Sequence, residues 1–166
     1  MIEIGFLGTG GAMSTADRDN TSFFFDNGKG LILVDCPGSA LQKIQKLGGA
    51  PRDLRAILVT HIHPDHVYGL PAIFHSLMLR EGLIPIYGSA ETVEFCIRLL
   101  DFFGLRQSNF KTRSEFHAVH PDEDFSVAHD VAVTALPVMH HPSSLAFHLH
   151  FAEGPRFLYS GDTAAA

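Results

Sequence analysis

Apolar residues recur along this chain with two periods, and the changes between them predict its elements. Short apolar or alternating runs at residues 2–7, 21–26 and 31–35 predict three strands, the last two joined as a hairpin around Asn27-Gly28. Leu41, Ile44 and Leu47 fall at helical spacing and stop at Gly48-Gly49, so residues 39–47 predict a short amphipathic helix. Residues 56–59 form a wholly apolar strand, 69–79 and 92–103 are helical, and 84–87 lie between them as a strand. From residue 116 the period becomes that of strands, at 116–120, 124–127, 131–138, 145–151 and 156–159. The pattern as a whole predicts a mixed α/β protein whose β component is two sheets and largely antiparallel.

Composition narrows this to one packed domain over residues 1–166. Hydrophobic residues are 46% and charged residues 18%, values of a globular chain. No apolar run nears the ~20 residues that span a bilayer, and the N-terminus lacks the basic-then-apolar order of an export signal, which disfavours membrane contact and export. The only cysteines, Cys36 and Cys96, fit buried small hydrophobes in a reducing cytoplasm. A net charge of −6 argues against a broad nucleic-acid-binding surface.

Histidine changes the picture. The chain has 11, and four fall between His61 and His75. Directly after the apolar strand comes His61-Ile62-His63-Pro64-Asp65-His66, an H-x-H-x-D-H pattern. At a strand end, side chains two apart point the same way, so His61 and His63 can reach one ion at ~2.0–2.1 Å. Where the chain then turns, Asp65 and His66 are directed toward a second ion, and mixed N/O donors suit zinc, manganese or iron better than copper or calcium.

The H-x-H-x-D-H segment, with His140-His141 and Tyr159-Ser160-Gly161-Asp162-Thr163 downstream, resembles the metallo-β-lactamase fold superfamily. Asp65 after the two histidines, Gly69-Leu70-Pro71 after His66, and the opening Leu7-Gly8-Thr9-Gly10 and Val34-Asp35-Cys36 resemble its ribonuclease Z-like branch. The resemblance implies an αββα sandwich of two mixed sheets flanked by helices, here incomplete at the C-terminus. It also implies that His61, His63 and a downstream histidine hold one metal, Asp65 and His66 the second, and Asp162 bridges both. A final histidine ligand is expected beyond residue 166. The downstream ligand is His140 or His141, both at the end of one strand. Ala146-Phe147, set beside the small-aromatic pair usual in the branch, favours His140 and leaves His141 beside the ligands or against substrate.

The expected cofactors are two divalent ions, zinc first, with manganese or iron also suited. Two ions ~3.5–4 Å apart can share a hydroxide at neutral pH, with Asp65 as the catalytic carboxylate that orients or receives its proton. Expected substrates are a small-molecule ester or phosphodiester, or an RNA 3′ end, with phosphodiester cleavage leading; a homodimer is compatible with all of these. The alternatives are a thioesterase, lactonase or sulfatase of the same fold, and a non-catalytic binding protein. Asp162 lies only 22 positions after His140, so the tRNA-gripping arm common in the branch is expected to be missing there. Elsewhere, His75, His117, His120 and His129 read as packed or hydrogen-bonded histidines, and His148 and His150 as solvated neighbours on one strand face.

Overall fold

The computed structural model describes residues 1–164. A six-stranded sheet is built from β1 (Glu3–Gly8), β2 (Ser22–Asp26), β3 (Leu31–Val34), β4 (Leu54–Leu58), β5 (Gly82–Gly88) and β6 (Thr112–Ala118), in that spatial order. β1 to β3 pair antiparallel and β3 to β6 parallel. A second, wholly antiparallel sheet runs β10 (Arg156–Tyr159), β9 (Leu145–Phe151), β8 (Val131–Pro137), β7 (Asp124–Ala128). The expected pair of mixed sheets is therefore one mixed and one antiparallel.

The helices are α1 (Ala40–Lys46), α2 (Pro64–Val67), α3 (Leu70–Ser76) and α4 (Ala90–Phe102). The single helix expected over 69–79 is the shorter α3, and α2, which replaces a simple turn, precedes it. Both carry proline in the first turn, Pro64 and Pro71, where the missing N–H costs nothing. The strand expected at 116–120 starts earlier, as β6, and joins the first sheet beside β5.

Strand parity explains the layering. In β3, Leu31 and Leu33 face one way and Ile32 and Val34 the other, and all four are buried. Leu33, Ile57 and Ile86 pack with Ile44, Ile73, Phe74 and Leu100 of the helices. Ile32, Val34 and Leu58 pack with Val133, Phe147 and Leu149 of the second sheet. Strands covered on both faces read as continuous apolar runs, as these do. No helix among the described residues is long and apolar enough to cross a membrane.

Candidate metal centre

The C-terminal ends of β3 and β4 carry the candidate site. Asp35 follows β3 with a positive φ of 56°, a conformation that aspartate tolerates better than most residues. Its N–H donates to Leu58 O and the Cys36 N–H to His66 O, both within 2.9 Å, which ties this corner to β4 and α2. Gly69 permits the close fit, since a Cβ there would lie 2.3 Å from Cys36 O.

Asp35 is fully buried and its carboxylate collects donors. Thr60 donates to it from N at 2.8 Å and from Oγ1 at 2.9 Å, His66 from Nδ1 at 2.7 Å, and the Tyr159 hydroxyl at 3.4 Å. With the Nδ1 proton committed to Asp35, His66 presents Nε2 to Asp65 Oδ2 and Asp162 Oδ1, each 3.5 Å away. Burial pulls the His66 pKa down, but the hydrogen bond and charge of Asp35, with Asp162 and Asp65, raise it above the ordinary 6.5. Burial and the same carboxylates push the Tyr159 phenol up, so it stays a donor.

Three imidazoles converge beside this anchor. His61 Nε2 and His63 Nδ1 are 2.9 Å apart, and His140 Nε2 is 3.1 Å from His63 Nδ1. Burial, then the neighbouring His66, His63, His140 and His141, lower the His61 pKa to about 3, so its ring is neutral across the physiological range. Ligand atoms of His61, His63 and His140 lie within 4.8 Å of one another, as do those of His61, His66 and Asp162. Asp162 touches both groups, with Oδ1 toward His66 and Oδ2 3.7 Å from His140 Nε2. Gly161 sets this reach: at φ 60° it packs on Thr60, where a Cβ would lie 3.1 Å from Thr60 Cβ.

The residues fit a metal. Four-coordinate bonds of 2.0–2.1 Å need donors about 3.3 Å apart, within a few tenths of an ångström of the nitrogen spacings here. Imidazoles, with the other ring nitrogen of His66 held by Asp35, and carboxylates alongside are the donor chemistry of zinc, manganese and iron. His141 stands apart from both groups: its Nδ1 is 2.8 Å from Ser143 Oγ, and its ring lies 5.3 Å from that of His63. An open cleft of about 670 Å³ borders the site, lined by Ser89, Val138, Met139, His140, His141 and Leu145 among others.

All six residues singled out in the sequence, His61, His63, Asp65, His66, His140 and Asp162, thus come together. Asp35 and Thr60 were not among them, although a carboxylate closing the apolar run Leu31-Ile32-Leu33-Val34 is a signal that could have pointed there. Among the other histidines, His75, His120 and His129 are exposed, not packed; α3 turns His75 away from the core. His117 stacks on Tyr87 at 4.7 Å, and the rings of His148 and His150 lie 4.1 Å apart on the face of β9 away from the core. Both cysteines are free and buried, and burial pushes the Cys96 thiol up to about 12.

Comparison with known proteins finds relatives of this chain. A family model described as "Anti-Pycsar protein Apyc1" matches residues 2–166. Ribonuclease Z of Pyrococcus abyssi is 38% identical over 103 residues, 61% of this chain and 34% of that protein. Ribonuclease Z of Methanosarcina acetivorans is 31% identical over 161 residues, 94% of this chain and 50% of that protein. The crystal structure of human tRNase Z, short form, superposes with a TM-score of 0.81 at 21% identity, covering 98% of this chain and 69% of that one. The chain spans about a third to a half of the curated relatives it matches. The fold is that of the metallo-β-lactamase superfamily, and the sequence lies in its ribonuclease Z-like branch.

Proposed function

The chain belongs to the Anti-Pycsar protein Apyc1 family, and on that footing we propose that it is a dinuclear metal-dependent hydrolase that cleaves phosphodiesters. The observation that carries this reading is the reach of Asp162, whose two carboxylate oxygens face two different groups of donors. In it, His61, His63 and His140 hold one ion, Asp65 and His66 the other, and Asp162 both, with zinc the best match to the donors. When bound, such ions lower the pKa of water and stabilise charge developing on the phosphoryl oxygens.

The chain's own groups do the rest. Asp35, through Nδ1 of His66, fixes the ring so that Nε2 faces the site. His61 stays neutral and keeps a lone pair available. Asp65 takes the proton of the attacking water at its carboxylate, which is largely shielded from solvent. The cleft along Val138, Met139 and Leu145 receives the substrate's apolar part.

Hydrolysis of bis-p-nitrophenyl phosphate by the zinc-loaded protein, with two ions per chain by metal analysis, is the expected result. His61→Ala and Asp162→Ala should each remove both metal and activity; full activity in either variant overturns the proposal. A second reading, cleavage at an RNA 3′ end, draws on the ribonuclease Z relatives. It predicts release of a 3′ trailer from precursor tRNA faster than hydrolysis of the small diester.

A further inference from the structure

The opposite pole of the first sheet has no part in that reaction, yet it gathers a third of the chain's lysines and arginines. Strands β3, β4 and β5 are parallel neighbours, so the histidine site at their C-terminal ends has a counterpart about 13 Å back along β3. Lys29 from the β2–β3 turn, Arg52 from the 3₁₀ turn before β4, Arg55 in β4 and Arg80 ahead of β5 line one pocket there, of about 460 Å³. They are four of only 12 Lys and Arg residues in a chain of net charge −6. Two carboxylates share the lining, Asp26 and Asp53, and Asp130 pairs with Lys29 and Arg55 beside it, so the four cations exceed these three carboxylates by one.

Two features go beyond a solvated basic surface. Arg80 is clamped by its backbone partners, with Nε donating to Arg52 O at 2.7 Å and Nη2 to Leu54 O at 3.0 Å. Its Nη1 is sealed from solvent with no hydrogen-bond partner among the described residues, and a Cβ at Gly82 would lie 3.7 Å from it. Arg55 is likewise fixed, by Lys29 O and by Asp130 Oδ1 at 3.1 Å. It crosses the turn where Gly30, at φ 132°, leaves room that a Cβ would fill to within 2.3 Å of Arg55 Cδ. Rigid, partly desolvated guanidinium groups with unspent N–H donors are suited to phosphate oxygens. One of the two lining carboxylates is partly occupied, because Asp26 Oδ1 accepts the Gly28 N–H at 2.8 Å.

We propose that this pocket binds a phosphate dianion, as free phosphate or as the terminal phosphate of a nucleotide, at a site separate from the histidine cleft. Arg55 supplies fixed donors, the clamped Arg80 adds its charge from the pocket wall, and the more exposed Lys29 and Arg52 supply attraction from solution.

The test is a titration of inorganic phosphate, and separately of AMP, into ¹⁵N-labelled protein, with and without zinc, followed by amide shifts. Saturating shifts at Gly28, Gly30 and Gly82 are expected in both metal states, and Lys29→Glu with Arg52→Glu should weaken apparent affinity about tenfold or more. Those two side chains are exposed, so the doubly substituted protein keeps its fold, which its own spectrum verifies. Tighter binding of AMP than of phosphate assigns the site to nucleotides, and equal binding assigns it to free phosphate. No shift at these glycines at about 10 mM ligand, shifts confined to residues 61–66 and 140, or unchanged affinity in the double variant would each overturn the proposal.

Discussion

The two ends of β3 and β4 place charge on the same backbone in opposite ways. At the C-terminal end, Asp35 is sealed from water and answered by Thr60, His66 and Tyr159. At the N-terminal end, Arg55 and Arg80 spend part of their donors on carbonyls and on Asp130, while Lys29 and Arg52 stay largely in water. A sealed charge makes its partners interdependent, because removing one strands the others without solvent. A wet charge is screened, and its neighbours act nearly independently. The first end is thus built to hold atoms in fixed relation, the second to attract and release.

Asp35→Ala should produce the largest break in this contrast. It leaves the Thr60 N–H and the His66 Nδ1–H buried without their acceptor and puts alanine at φ 56°. A loss of about 3–5 kcal/mol in urea unfolding is expected, as for a buried ionic pair deprived of one partner. Zinc affinity should fall by roughly 10–100-fold, because His66 is no longer aimed. If the variant unfolds at the wild-type urea concentration, Asp35 is not the anchor described here.

The pH dependence of the metal-free chain comes next. The folded His61 refuses a proton until about pH 3, whereas its unfolded counterpart takes one near 6.5, so between these values the unfolded state binds more protons. Stability therefore falls as pH drops below 6.5. His66 acts in the other direction: its pKa is raised on folding, so its contribution is complete below 6.5 and is lost as pH rises through the folded value. Maximum stability near pH 6.5 is expected from urea midpoints. His61→Gln should flatten the acid side between about pH 5 and 6.5, above most carboxylate titration, and His66→Gln the alkaline side. A profile that only rises with pH would contradict the His66 shift, and one that only falls would contradict the His61 shift.

A smaller effect sharpens the comparison within the sealed end. The Tyr159 hydroxyl reaches Asp35 Oδ2 at 3.4 Å, the longest of its contacts, and the ring packs on Phe23 at 4.8 Å. Tyr159→Phe keeps the ring and removes only that donor, so about 0.5–1.5 kcal/mol should be lost. Zinc content should not change. A loss as large as that of Asp35→Ala would mean that the phenol, and not Thr60 and His66, carries the carboxylate.

The histidine end was partly legible in the residues themselves. Ala56-Ile57-Leu58-Val59 followed by H-x-H-x-D-H marks a buried strand delivering ligand-type side chains to one place, since parity alone aligns His61 with His63. His140 and Asp162 entered through the family resemblance, because no local period connects residues about 80 and 100 positions downstream with that loop. Asp35 entered only within Val34-Asp35-Cys36 of the resemblance, and its anchoring role stayed hidden for a related reason. Its role depends on β3 lying beside β4, and a parallel partner is chosen by tertiary packing, not by the strand's own pattern. The same cause hid the pairing of β6 with β5, where half-exposed alternation resembled the later antiparallel strands. The cationic pole was less legible still: Lys29, Arg52, Arg55 and Arg80 are spread over about 50 residues, and no local pattern joins them.

The smallest expected effect belongs to that pole. Lys29 is 68% exposed and pairs with Asp130 at 3.3 Å, and Arg52 is 83% exposed and lies 3.9 Å from Asp53. Exposed pairs of this kind contribute little because water and salt screen them. Lys29→Glu and Arg52→Glu should each change stability by no more than about 0.5 kcal/mol, and zinc content not at all. Asp130 keeps Arg55 as a partner in the first variant, so no carboxylate is abandoned. Unfolding of each variant in low and high salt checks the assignment. A cost well above 1 kcal/mol that survives high salt would place these cations among the structural charges, and the contrast between the two ends would disappear.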